Sequence, residues 1–370
     1  MAAPISAEGK TPYVFLGRSG LKVSNIALGS TTFGESQFGR PGQMSEDLSH
    51  EILNRYTEWG GNFLDTADVY GHGGAERIIG KWLERQPRDK FVVATKCRFS
   101  LGAGQSVNSM GLSRRNITAS IEGSLQRLHT DFVDLYQTHL FDDATPIEET
   151  LRTLDDLVRV GKIRYIGVSN VTGWQLQKLV GVTKRLGLNP IISLQQQYSL
   201  ASRTSELEVF QVCKSSGIGV LPWSALKGGF LTGKIKRDVK PTEGRIAWAT
   251  ETDFSTVESS KPWQTFDSQA FDVVDTLEAI SKTHSKTIAQ VAIRWLLQRD
   301  VVSSVIIGAR TLAQLDDNMG VNGWSLTKEE MQQLDTVSTR KSPYPYDFIF
   351  GLNSNRVNKL SNDNYVTSTA

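Results

Sequence analysis

The chain has 370 residues, 39% of them hydrophobic, and 41 Lys and Arg against 39 Asp and Glu give a formal net charge of +2. That length supports one large core in a single catalytic domain, and so small a net charge gives no grip on nucleic acid or an anionic membrane. The only two cysteines, Cys97 and Cys213, are far apart and lack ligand spacing, which fits a reducing, cytoplasmic setting and argues against a structural disulfide or zinc site. No run reaches the roughly 18 apolar residues that a membrane helix needs, and Met1–Lys10 has no basic segment followed by an apolar core, so the chain reads as soluble and unsecreted.

Residues 1–12 are small and polar and read as a flexible terminus. From Tyr13 to Ser24 the pattern is that of a β-hairpin turning at Arg18-Ser19-Gly20, and Asn25-Ile-Ala-Leu-Gly29 follows as a strand with Thr31–Gly34 in the loop after it. The chain then alternates. Helical segments are predicted near 45–59, 75–85, 113–128, 146–160, 172–186 and 205–216, with strand-like runs near 62–65, 91–96, 132–138, 163–169, 191–195 and 218–222. Leu151, Leu154, Leu157 and Val158 show the helical period, with Pro146 at a first turn and Gly161 just past the end. Between Trp223 and Gln269 lies a long stretch without periodicity, rich in Gly, Thr, Ser and Pro, and a loop of that length in a compact domain is commonly functional. Helices resume at 269–284 and 287–299, a last strand spans Ser303–Ile307, helices begin near Thr311 and cover 327–336, and residues 337–370 read as an irregular arm.

Such alternation makes parallel βα units, which periodicity alone allows to close into a barrel or to wind into an open sheet. An open dinucleotide-binding sheet carries Gly-x-Gly-x-x-Gly after its first strand; none is present there, and Gly71-His-Gly73-Gly74-Ala-Glu76 breaks that spacing. Three strand-like runs end in chemically complementary residues. Asn62-Phe-Leu-Asp65 leads into Tyr70, Phe91–Thr95 runs into Lys96, and Phe132–Thr138 runs into His139. If these strands are parallel neighbours, their C-terminal ends share one rim, where parallel sheets place their chemistry.

Asp65-Thr-Ala-x-x-Tyr70-Gly, Lys96 and His139 resemble, in order and strand context, the catalytic tetrad of the aldo-keto reductases, NAD(P)H-dependent carbonyl reductases. The resemblance covers residues 13–336 and implies a (β/α)8 TIM barrel with an N-terminal hairpin plugging its bottom and long loops on the C-terminal face; about eight strands are counted. It implies reduction of an aldehyde or reactive ketone, with Tyr70 as proton donor, Lys96 and Asp65 tuning it and His139 orienting the carbonyl. The chemistry is reasonable on its own terms, because a phenol near its ordinary pKa of about 10 is a poor acid at neutral pH and a neighbouring ammonium favours the phenolate.

The resemblance further implies NADPH/NADP+ as cofactor. Ser169, Asn170 and Gln195 match the clamp on the nicotinamide carboxamide, although Ser169-Asn170 also suits a helix N-cap ahead of Trp174. Trp223, Ser224, Leu226 and Lys234 match the loop that stacks on nicotinamide and meets the pyrophosphate, with Ala225 standing where the family has Pro. Gly308, Arg310, Gln314, Asp317 and Asn318 match the adenosine segment, where a guanidinium selects the 2′-phosphate. That last segment is nearer the branch of aryl-alcohol dehydrogenase-like reductases and potassium-channel β subunits than the smaller members.

The rim also carries Phe33, Arg98, Lys227, Trp248 and Trp263, a mixture suited to an aryl aldehyde, a 2-oxoaldehyde or an anionic, sugar-derived carbonyl such as a uronate product. The competing reading is a channel-β-like regulatory subunit that binds NADPH and turns over weakly. A metal-dependent hydrolase lacks support, since His50, His72, His129, His139 and His284 show no paired ligand spacing.

Overall fold

The computed structural model describes residues 10–34, 42–102, 106–237, 239, 241–242, 246–248 and 266–353. Two short antiparallel strands, β1 (Tyr13–Phe15) and β2 (Lys22–Ser24), make the hairpin. Eight parallel strands follow: β3 (Ile26–Gly29), β4 (Phe63–Asp65), β5 (Val92–Cys97), β6 (Val133–Thr138), β7 (Ile163–Ser169), β8 (Ile191–Gln197), β9 (Gly219–Trp223) and β10 (Val305–Ile307). Their order is β10-β3-β4-β5-β6-β7-β8-β9. A parallel bridge between Val220 and Val302, with the Val220 N–H donating to Val301 O at 2.9 Å, closes β9 toward β10 and makes the sheet a barrel.

Period-2 alternation divides each strand between two cores. Ala27, Phe63, Val92, Ala94, Leu135, Ile192 and Leu221 fill the lower barrel interior, where Leu16 and Val23 of the hairpin join them. Gly17 is what lets the hairpin seat against the strand starts: it has φ 56, and a Cβ there would fall 2.6 Å from both the Gly219 nitrogen and Ile192 O. The opposite strand faces pack against α1 (Glu46–Glu58), α2 (Gly74–Leu83), α3 (Arg114–Leu128), α4 (Ile147–Arg159), α5 (Gly173–Leu186), α6 (Val209–Ser216), α7 (Ser268–His284), α8 (Ile288–Leu297) and α9 (Leu312–Met319) in the larger outer core. The helix α4 shows the local logic. Pro146 precedes it, Glu148 and Glu149 lie in its positive first turn, and Leu151, Leu154 and Leu157 are buried, each removal from water contributing about 1.5–3 kcal/mol.

Three expectations change. Residues 11 and 12 are tied down: Thr11 is buried and its N–H donates to Trp59 O, while Pro12 O accepts from Asn25. Residues 1–9 lie outside the described part. The helix α10 (Lys328–Ser338) runs past residue 336, and α11 (Tyr346–Asn353) stands where the sequence suggested irregular chain. Specific polar contacts fix that segment: Tyr346 Oη donates to Glu208 at 2.7 Å, and Arg340 binds Asp267 and Gln269. Among the described residues no helix is long and apolar enough to cross a membrane.

Candidate active site

The lower barrel interior is hydrocarbon, but one layer higher it becomes polar. Asp65 ends β4, and Lys96 is on the neighbouring β5, in register with Gln137 of β6. Lys96 Nζ donates to Asp65 Oδ2 at 2.7 Å, to Thr66 O at 2.7 Å and to Tyr70 Oη at 3.3 Å. The lysine side chain is 0% exposed and that of Asp65 4%, so the pair has no water to fall back on. Burial by itself would pull the Lys96 ammonium down, but the charges of Asp65 and Tyr70 and the hydrogen bonds to both outweigh it, and the net shift is upward. Lys96 therefore stays a cation against the phenol.

Tyr70 is half-buried, its ring 5.7 Å from that of His139 and nearly perpendicular to it. His139 is held by its backbone N–H on Cys97 O at 2.9 Å, and its O accepts from Asn170 Nδ2 at 2.9 Å. Burial, then the positive charges of Lys96 and Arg98, hold the imidazole well below its ordinary range, so it is neutral at neutral pH. Its Nδ1 is buried without a hydrogen-bond partner. With Nδ1 sealed off, Nε2 is the nitrogen of this neutral imidazole left to bond a substrate oxygen beside the phenol.

The other predicted residues fall at the same end of the barrel, with differences. Ser169 is buried at the end of β7, and Asn170 at φ 52 bridges Ser169 Oγ, His139 O and, through Oδ1, Trp223 Nε1 at 3.1 Å. The N-cap of α5 is Thr172, paired with Gln175 in a capping box, so neither Ser169 nor Asn170 is used as the cap. Gln195 is turned under the rim, its Nε2 donating to Asp65 Oδ1 at 2.7 Å. Ser224 (φ 60), Lys227 (φ 47), Gly228 (φ 67) and Gly229 (φ 99) place a run of left-handed residues after β9. Leu226 packs on the outer core, burial pulls the Lys227 ammonium down, and Lys234 is exposed. Gly308 and Arg310 are exposed ahead of α9; the Arg310 guanidinium lies against Gly42, where a Cβ would sit 2.4 Å from it. Gln314 Oε1 accepts from the Arg310 N–H at 2.9 Å, which turns the amide back onto the helix start. Asn318 Nδ2 reaches Gly308 O at 3.5 Å, and Asp317 O accepts from Gln290.

Among the substrate candidates, Phe33 is a correction. It is 1% exposed and packs in the outer core, because the bridge from Phe33 to Met44 folds the β3 loop down over it. Arg98 is half-buried at φ 150 over the ring of Phe99, with its Nε buried and unpartnered. Trp248 is half-buried, and Trp263 lies outside the described residues. Phe99, 5.0 Å from His139, and the Phe141–Trp174 pair escaped the sequence reading, as did Gln137; strand period 2 back from His139 was the available signal for Gln137.

Strain marks the same rim. Of the seven non-glycine residues with positive φ among those described, His129 and Ser285 close helices; the other five, His72, Arg98, Asn170, Ser224 and Lys227, lie in loops after strands. An eight-stranded α/β barrel with a buried ammonium–carboxylate pair against a phenol at its C-terminal rim defines a barrel oxidoreductase acting on carbonyl compounds. The sequence profile described as Aldo/keto reductase family matches residues 25–339, and the chain belongs to that family. It is 33% identical over 353 residues to an aldo-keto reductase of Metarhizium robertsii, spanning 90% of this chain and 92% of that one. It is 32% identical to the versiconal hemiacetal acetate reductase of Aspergillus parasiticus, over 90% and 98% of the two chains, and 29% identical to the norsolorinic acid reductase of Aspergillus flavus, over 93% and 86%.

Proposed function

We propose that this aldo-keto reductase uses NADPH to reduce an aldehyde or reactive ketone to the alcohol, with Tyr70 as proton donor. The observation that carries the reading is the chain of contacts from Asp65 through Lys96 to the Tyr70 hydroxyl, with the neutral His139 beside it. Lys96 stabilises the phenolate that forms as Tyr70 releases its proton, Asp65 keeps Lys96 in place, and His139 donates to the carbonyl oxygen and orients it. The nicotinamide cofactor supplies the hydride when bound.

The residues present fit such a cofactor. Ser169, Asn170 and Trp223 form one hydrogen-bonded group beside His139. Positive φ at Ser224, Lys227, Gly228 and Gly229 curls the chain after β9 into a tight turn at the rim, with the Lys227 N–H on Ser224 O and the Gly229 N–H on Leu226 O. Beside the N-terminus of α9 a Cβ built on Gly308 would meet nothing within 4 Å, which leaves room for a phosphate near Arg310. We assign Arg310 to the 2′-phosphate of NADPH, Asn318 and Asp317 to the adenine, and Leu226 and Lys234 to the pyrophosphate side. Phe99 and the partly buried Arg98 favour an aryl or carboxylate-bearing carbonyl substrate. Steady oxidation of NADPH with a panel of aryl aldehydes, 2-oxoaldehydes and unsaturated uronate products tests the reading: turnover abolished by Tyr70→Phe supports it, and cofactor binding without turnover on any of them sinks it in favour of a regulatory subunit.

A further inference from the structure

Gln137 is 0% exposed, on β6, in register with Lys96 on one side and Gly167 of β7 on the other, so its side chain shares the barrel interior with both. Its Nε2 lies 3.3 Å from Asp65 Oδ1, the oxygen that also accepts from Gln195 at 2.7 Å, while the second carboxylate oxygen takes Lys96 at 2.7 Å. The amide orientation is forced, since the flipped form would set its oxygen against a carboxylate. Gly167 makes the reach possible: a Cβ there would fall 3.0 Å from Gln137 Cγ and 2.5 Å from Ser193 Oγ. The register shift between Ile166 and Gly167 is what brings Ser193 opposite this glycine.

We infer that Gln137 is a positioning residue for the proton donor, acting through Asp65 and resting on the reductase reading given above. Two amide N–H groups on one carboxylate oxygen draw its negative charge away from Lys96. More of the ammonium's field is then left for the Tyr70 hydroxyl. Without the Gln137 donor, Asp65 cancels Lys96 more completely and Tyr70 holds its proton more tightly. The neutral His139 ring packs edge-on against Tyr70, the charge of Arg98 acts on that imidazole, and Asp68 stands two residues before Tyr70 in the chain; none of these side chains is replaced by the substitutions at 137 or 167.

The test is Gln137→Met, which keeps length and removes the donor, with Gly167→Ala as a second route that displaces an unaltered Gln137. Tyr70 ionisation is followed by the ultraviolet absorbance of tyrosinate, each protein being compared with the same protein carrying Tyr70→Phe, so the readout does not depend on turnover. The expected result in both variants is a Tyr70 midpoint raised by about half a pH unit or more, a kcat at neutral pH lowered about three- to tenfold, and NADPH affinity within about twofold of wild type. A Tyr70 titration that superimposes on wild type, in whichever variant folds, overturns the inference whatever happens to the rate, because a packing defect slows catalysis without moving that midpoint. A shifted midpoint in a protein that never oxidises NADPH leaves the inference standing and rejects the reductase reading instead.

Discussion

Asp68→Asn tests the electrostatics beneath the rim. Asp68 is 1% exposed and its Oδ1 has no hydrogen-bond partner. Nearby Glu76, also fully buried, takes Arg127 Nε at 2.6 Å and the Thr95 hydroxyl at 2.6 Å, so the one guanidinium is committed to the other carboxylate. Burial first, then the charge of Glu76, push the Asp68 carboxyl from 3.8 up to about 8, against the opposing pull of Arg127, the Val69 N–H and Lys96. The sign follows from proton counting. Between about pH 4 and pH 8 the folded protein holds a proton that the unfolded chain has released, so this group's contribution to stability falls as pH rises and levels off above about 8. At about 1.4 kcal/mol per unit, an upward shift from 3.8 to about 8 bounds the loss at about 6 kcal/mol. Asn mimics the neutral acid and does not titrate. The stability difference, variant minus wild type, measured by urea unfolding at pH 5, 6, 7 and 8, should therefore rise with pH at up to about 1.4 kcal/mol per unit, while pH effects from the other carboxylates cancel. A difference that stays flat across that window would show that Asp68 is ionised in the folded protein and refute the reasoning.

Tyr70→Phe should lower kcat by on the order of 10² or more while NADPH affinity, read by fluorescence quenching, holds; retention of half the wild-type rate removes Tyr70 from the chemistry. Arg310→Ala should weaken NADPH by about 1.5–3 kcal/mol and leave NADH nearly unchanged, whereas equal loss for both cofactors in equilibrium titrations makes Arg310 structural. For Arg98→Ala, KM should rise for an acidic aldehyde and not for a neutral one of similar size; a parallel shift rejects a carboxylate contact at Arg98. Gly80→Ala should cost about 1–3 kcal/mol in denaturant unfolding, because the added Cβ would lie 2.2 Å from Arg127 O where α2 crosses the end of α3; unchanged stability would mean the two helices slide apart freely.

The alternation of strand and helix was legible in the sequence because each element buries one side at its own period, and every barrel strand lies within a few residues of its predicted place. The order of Asp65, Tyr70, Lys96 and His139 along successive strand ends was equally legible, since parallel neighbours must bring those ends to one rim. Periodicity could not choose a barrel over an open sheet. That choice depends on β9 meeting the segment that leads into β10, through Val220 and Val302, a contact between residues about 80 apart in the chain that no local pattern encodes. Local pattern likewise could not show that Phe33 turns under Met44 into the core, that Thr172 and not Ser169 caps α5, or that a helix forms at Tyr346–Asn353. Gln137 shows the division most clearly. Its inward direction follows from standing two residues before His139 on a strand, but its partner Asp65 is two strands away. Only the curvature of the closed barrel, and the missing side chain at Gly167, bring an amide of β6 within reach of a carboxylate of β4.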